Sequence, residues 1–220
     1  NCYGEFTEET EPTEAGADLM AGSLIKNPGG GLALSGGYVC GRADLVEKAA
    51  GRLTAPGIGG EVGATFGMQR WMFQGFFLAP HMVGQAVKGS IFAAAMLEEL
   101  GFETKPRWNE PRTDLIQAIR FDSAEALIAF VQGIQQAAAV DAHALPEPGD
   151  MPGYDHPVIM AAGAFVQGGS LELSADAPIR EPYIAYVQGG LTYAHAKLGI
   201  LAALTRLAER SNIVIKPNMS

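Results

Sequence analysis

One lysine stands where an apolar stretch meets a glycine-rich one, and that junction constrains the fold more than any other feature. Residues 17–25 are mostly apolar or small, which predicts a buried strand or strand end. Beyond Lys26, five glycines fall between Gly29 and Gly37. Such a backbone can take positive φ and approach a ligand closely. Lys26 is the only charged residue between Asp18 and Arg42, so it has no partner nearby in sequence. A buried lysine without a paired charge tends to give up its proton, because desolvation disfavours the cation. A neutral amine facing a glycine-lined cavity is what imine formation with an aldehyde requires. The plainer reading is a surface lysine in a glycine turn.

The composition excludes several classes. The 220 residues, 48% hydrophobic, are enough for one large or two small domains with a real core. The net charge is −9 and there is no basic stripe, which argues against a nucleic-acid partner. Glu5, Glu8, Glu9, Glu11 and Glu14 crowd the beginning without an accompanying histidine, which marks a solvated loop rather than a metal site. Cys2 and Cys40 make no disulfide framework or zinc site, and imply a reduced, cytoplasmic compartment. The longest apolar run, 71–87, is interrupted by Gln74, Pro80 and His81 and is no membrane span. No metal site is expected, since the four histidines lack ligand spacing.

Periodicity predicts strands at 36–40, 115–121, 158–165, 170–175 and Tyr183–Gln188. Helices are expected at Ala43–Leu53, 66–78, 82–100, after an Asp122 cap paired with Glu125, and at 191–209. Pro80 is expected to separate the second and third. The second glycine loop, 54–63, lacks the dinucleotide-binding spacing. Four prolines between residues 144 and 157 mark a loop. The elements together suggest an α/β sandwich.

Three blocks carry a resemblance: Gly22-Ser23-Leu24-Ile25-Lys26-Asn27-Pro28-Gly29-Gly30-Gly31, Gln74-Gly75-Phe76-Phe77-Leu78-Ala79-Pro80-His81, and Gln188-Gly189-Gly190-Leu191-Thr192-Tyr193. In this order they resemble pyridoxal-phosphate enzymes of fold type I. The nearer match is the cystathionine and methionine lyase branch, and nearer still the methionine γ-lyase or aluminium-resistance proteins. The resemblance implies an α/β fold: the C-terminal part of a large cofactor-binding domain over 1–80, then a connecting helix and small α/β sandwich domain over 81–220. It implies that the chain is the C-terminal half of a longer enzyme, inactive alone, with the acid that pairs the pyridinium nitrogen lying ahead of Asn1. A homodimer or homotetramer is implied.

Pyridoxal 5'-phosphate is the implied cofactor, and Lys26 the Schiff-base lysine and catalytic base. Ser23 matches the serine that hydrogen-bonds the cofactor phosphate; bland packing is the alternative. Related lyases carry a threonine directly before the lysine, where this chain has Ile25. Arg180, ahead of a strand and flanked by Pro178 and Pro182, is placed like an arginine that forks the substrate carboxylate. Its alternative is a surface charge beside Asp176 or Glu181. His81 and His195 sit in the matching blocks, where packing or capping competes with catalysis. The implied reaction is carbon–sulfur elimination from a small amino-acid substrate of methionine or cystathionine type, giving thiol, 2-oxo acid and ammonia. An aminotransferase on the same fold and a non-catalytic cofactor-binding homologue are the competing readings.

Overall fold

The computed structural model describes residues 1–63 and 65–210. The described residues form four α-helices and seven strands, in the order β1 (Leu19–Ser23), β2 (Gly37–Gly41), α1 (Ala43–Leu53), α2 (Gln69–Glu99), β3 (Glu103–Lys105), β4 (Gln117–Phe121), α3 (Ala124–Gln136), β5 (Val158–Ala161), β6 (Ser174–Pro178), β7 (Tyr183–Gln188) and α4 (Tyr193–Arg210). β1 and β2 form an antiparallel pair; the other five strands form an antiparallel sheet in the order β3-β4-β7-β6-β5.

Period-two alternation gives the large sheet two unlike faces. Ile119, Phe121, Ala175, Ala177, Ala185 and Val187 point to one side, into a core shared with α3, α4 and the C-terminal half of α2. α3 and α4 cross so closely that a Cβ on Gly133 would stand 2.4 Å from the Ala203 Cα. The alternate residues Ser174, Asp176, Tyr186 and Gln188 occupy the opposite face, with Met160 directly beside Asp176. This is an α/β sandwich with one face of its sheet left polar. No helix among the described residues is long and apolar enough to cross a membrane.

Several expectations are corrected. α2 runs unbroken through Pro80, where two separate helices were expected. An interior proline costs about 3 kcal/mol. Here it sits exposed, while Gly75, Ala79, Val83, Ala86, Ser90, Ala93 and Leu97 form a continuous buried stripe on the other side. That stripe holds the helix together across the missing hydrogen bond. The stretch 17–25 is no buried strand: β1 pairs only with β2, and Leu19 is exposed. Ser123, not Asp122, caps α3; its Oγ accepts the Ala126 N–H at 3.2 Å. β5 ends at Ala161 and β6 begins at Ser174, so 162–173 is a loop where strand was expected. β3 was not foreseen, being three residues long. Residues 211–220 of the expected small domain lie outside the described residues.

Candidate functional site

The position of Lys26 is built in three steps. Ser23 Oγ accepts the Ile25 N–H at 3.3 Å, turning the chain at the end of β1. Asn27, fully buried, then donates its Nδ2 to the carbonyls of Tyr3 at 3.0 Å and Glu5 at 2.9 Å. Residues 27–29 form one 3-10 turn, and Gly30 follows at φ 56°. Glu5 is therefore not part of a solvated loop. It is buried, and its carboxylate accepts a hydrogen bond from the Tyr38 hydroxyl. Burial, then the hydrogen bond and charge of Glu5, push the Tyr38 hydroxyl well above its ordinary value. The acidic start of the chain thus contributes one strut that carries Tyr3 to Lys26.

The glycines after Lys26 press on protein rather than cradle a ligand. A Cβ on Gly30 would stand 2.1 Å from the Gly75 carbonyl oxygen, and one on Gly75 would stand 2.1 Å from the Gly29 oxygen. A Cβ on Gly31 would meet Leu191 at 2.4 Å. The three blocks, far apart in sequence, meet at these contacts. Gln85 of α2 adds a cap, its Oε1 accepting the Tyr193 N–H at 3.1 Å where α4 begins.

Lys26 itself opens into a cavity of about 140 Å³. Its Nζ donates to the Gly168 carbonyl at 2.5 Å and lies 5.4 Å from the centre of the Tyr3 ring. The loop presenting Gly168 is held by Glu172, a buried carboxylate that accepts the N–H groups of Phe165 at 2.8 Å and Val166 at 3.0 Å. The remaining wall comes from the polar face of the sheet, through Ser174, Asp176 and Gln188, with Ser170 from the loop and Met160 from β5. A lysine isolated in sequence is thus surrounded in space by a carbonyl, an aromatic face and a carboxylate. Burial raises the Asp176 carboxyl above its usual range, while Lys26 pulls it the other way.

Among the other residues singled out from the sequence, Ser23 is half-buried and shapes the approach to Lys26 without lining the cavity. Arg180 lies on the exposed turn between β6 and β7, beyond the Pro178 end of β6, and does not line the cavity either. A broader hollow of about 460 Å³ beside that turn is lined by Arg120, Asp122 and Glu181 and holds no lysine. His195 binds the Ala137 carbonyl at 2.6 Å through Nε2, tying the start of α4 to the end of α3. His81 is exposed on α2.

Ser170, Ser174, Asp176 and Gln188 were not foreseen as site residues. Gln188 was legible as the end of the strand Tyr183–Gln188, while Asp176 fell one residue beyond the expected strand 170–175 and was read only as a surface partner for Arg180.

The donor set fits a polar, carbonyl-bearing ligand. The Ser170 and Ser174 hydroxyls line the same cavity as the lysine amine and are buried without a hydrogen-bond partner among the described residues. Buried hydroxyls are normally paired, so such orphans mark places where a ligand can bond. An amine, two unpartnered hydroxyls, an amide and a carboxylate thus line one hollow of the α/β sandwich.

The family model described as methionine gamma-lyase matches residues 1–208, and the chain belongs to that family. It is 58% identical over 213 residues to the Bacillus subtilis (strain 168) uncharacterized protein YnbB, covering 97% of this chain and 51% of that protein. A Listeria monocytogenes crystal structure, of a protein proposed to be a cystathionine beta-lyase involved in aluminum resistance, superposes with a TM-score of 0.92. It is 58% identical, with 94% of this chain and 51% of that one covered. The structure of a carbon-sulfur lyase involved in aluminum resistance from Clostridium novyi NT is 57% identical, with a TM-score of 0.89 over 94% of this chain and 48% of its own. The chain therefore spans about half the length of these relatives.

Proposed function

We propose that the chain forms the lysine-bearing part of a pyridoxal 5'-phosphate-dependent carbon–sulfur lyase that takes a sulfur amino acid to thiol, 2-oxo acid and ammonia. The observation that carries this reading is the Lys26 amine in a cavity with two buried, unpartnered hydroxyls. Family membership and the lyase descriptions of the solved relatives support it.

Lys26 would hold the cofactor through its Nζ, and Ser23 would serve the phosphate from the turn before it. When bound, the cofactor supplies an electron sink for the charge left when a proton departs from the substrate Cα. The work of this chain is then positional and acid–base. With substrate bound, Lys26 Nζ would be the group that takes the proton from the substrate Cα. The Gly168 carbonyl and the Tyr3 ring limit the directions in which Nζ points, and Glu172 limits where Gly168 lies. Ser170 and Ser174 donate to the substrate carboxylate. Met160 and Ala164 give apolar surface to the side along which a thioether chain would lie. The substrate is a free small molecule; the assembly is a cytoplasmic homodimer or homotetramer.

The test is chemical. Borohydride reduction of the cofactor-loaded full-length enzyme should fix the cofactor's mass at Lys26, and Lys26→Ala in that enzyme should lose both the adduct and turnover. Release of thiol together with 2-oxo acid marks a lyase; 2-oxo acid without thiol marks an aminotransferase. Wild-type turnover by Lys26→Ala would overturn the proposal. In the same assay, the exposed place of Arg180 makes Arg180→Lys a change of a few-fold at most. A loss of orders of magnitude would return the carboxylate-forking role to it.

A further inference from the structure

Asp176 is the one acidic side chain lining the Lys26 cavity. It projects from the open face of β6, flanked by Met160 on β5 and Tyr186 on β7. Its carboxylate has neither hydrogen bond nor ion pair among the described residues, though it is half-buried. Lys26 attracts it, but the proposed chemistry engages that amine, which leaves a partly desolvated carboxylate with affinity for another cation.

The cation is not the substrate's reacting amine, which the proposed chemistry engages at Lys26. The substrate's α-carboxylate, an anion, is repelled by Asp176 towards Ser170 and Ser174. What remains is a second ammonium, carried by the part of the substrate beyond sulfur. The wall between the two ends suits that bridge: Met160, Ala162 and Ala164 offer an apolar path for methylenes and sulfur.

Resting on the lyase reading, we infer that Asp176 is a specificity-determining residue that receives the distal ammonium of a thioether or disulfide diamino acid. Methionine has no such group and leaves Asp176 unpartnered. Cystathionine and cystine each have one, and differ in whether a thioether or a disulfide spans the apolar wall. Asp176 therefore acts as a selector by what it attracts and by what it leaves unpaired.

The experiment compares kcat/KM for L-cystathionine, L-cystine and L-methionine in the cofactor-loaded parent, Asp176→Asn and Asp176→Glu. The preference for the diamino substrates over methionine should fall about tenfold or more in Asp176→Asn, mainly through KM. Asp176→Glu, which keeps the charge, should retain most of that preference. Loss for cystathionine alone or cystine alone identifies which bridge the site takes.

The melting temperature of Asp176→Asn should stay close to that of the parent, because the desolvation relieved by losing the charge is offset by the lost attraction of Lys26. A preference unchanged in Asp176→Asn overturns the inference, as does equal loss for all three substrates, which would assign Asp176 to Lys26 instead. A binding arm separates this from the lyase reading. Calorimetric titration of L-cystathionine into Lys26→Ala should show a Kd about tenfold weaker when Asp176→Asn is added. No difference there overturns the inference, while loss of the borohydride-fixed adduct in the parent overturns only the lyase reading.

Discussion

Two glycine-rich loops look alike in this sequence and differ completely in the fold. In the first, after Lys26, a Cβ at Gly29, Gly30 or Gly31 would collide with protein at 1.6, 2.1 and 2.4 Å. In the second, a Cβ at Gly57, Gly59 or Gly63 would meet nothing within 4 Å. The first loop uses missing side chains to let one backbone touch another, so that Gly29 and Gly30 seat against Gly75 of α2. The second uses them only to turn at the surface. A glycine cluster thus says that side chains are absent, and only the partner across the gap says why.

The comparison can be broken most sharply at Gly75. Alanine is the better helix former by about 1 kcal/mol, so propensity alone favours Gly75→Ala. The Gly29 backbone in its way should reverse the sign, with a net loss of about 3 kcal/mol and a melting temperature lower by roughly 6–12 °C. A melting temperature at or above the parent's would mean that the close approach is not tight.

Gly84 lies in the same helix with open space around it, and there propensity should win. Gly84→Ala is expected to stabilise by about 1 kcal/mol, seen as a rise of about 2–4 °C in the same thermal scan. Opposite signs at two glycines nine residues apart on one helix would separate contact from propensity.

Tyr38 closes the first loop, and it predicts a pH dependence that the second loop lacks. Its folded pKa is raised by burial and by Glu5, above the unfolded value of about 10. Its stabilisation is complete below that unfolded value and is lost as pH climbs above it, where the unfolded chain gives up a proton that the folded one keeps. The linkage limit is about 1.4 kcal/mol per pH unit. Solvent screening of a half-buried ring should cut this to about 0.5 kcal/mol. Urea midpoints at pH 9 and pH 11 should show this slope in the parent and its absence in Tyr38→Phe.

The smallest effect belongs to the second loop. Gly60 meets only the Ala50 Cβ at 3.9 Å, and Gly60→Ala should change stability by no more than about 0.5 kcal/mol. A larger loss would show that the open loop is held in a way its surroundings do not reveal.

Much of the chain was legible before folding. α1 was placed to the residue, and β7 as well, because their apolar spacing matches one period and polar punctuation bounds them. Lys26 stood out through its isolation and its glycines, and the three motif blocks carried the family. Pro80 misled, because local rules weigh the lost hydrogen bond but not the buried stripe on the far side of the helix. Glu5 misled in the same way. Five acids in a row of loops suggest solvent, and nothing local shows that one of them will lie under Tyr38.

What the sequence determined by itself is whatever depends on near neighbours: the period of each helix and strand, the turn at Ser23, the lysine between apolar and glycine-rich segments. Tertiary structure alone decided what surrounds that lysine. Gly168, Asp176 and Gln188 lie 142, 150 and 162 residues beyond Lys26, a separation taken directly from the numbering. Their meeting depends on how the loop after β5 packs and which face of β6 and β7 the helices leave uncovered. Contacts of that span depend on the packing of the whole chain, and no local pattern encodes them.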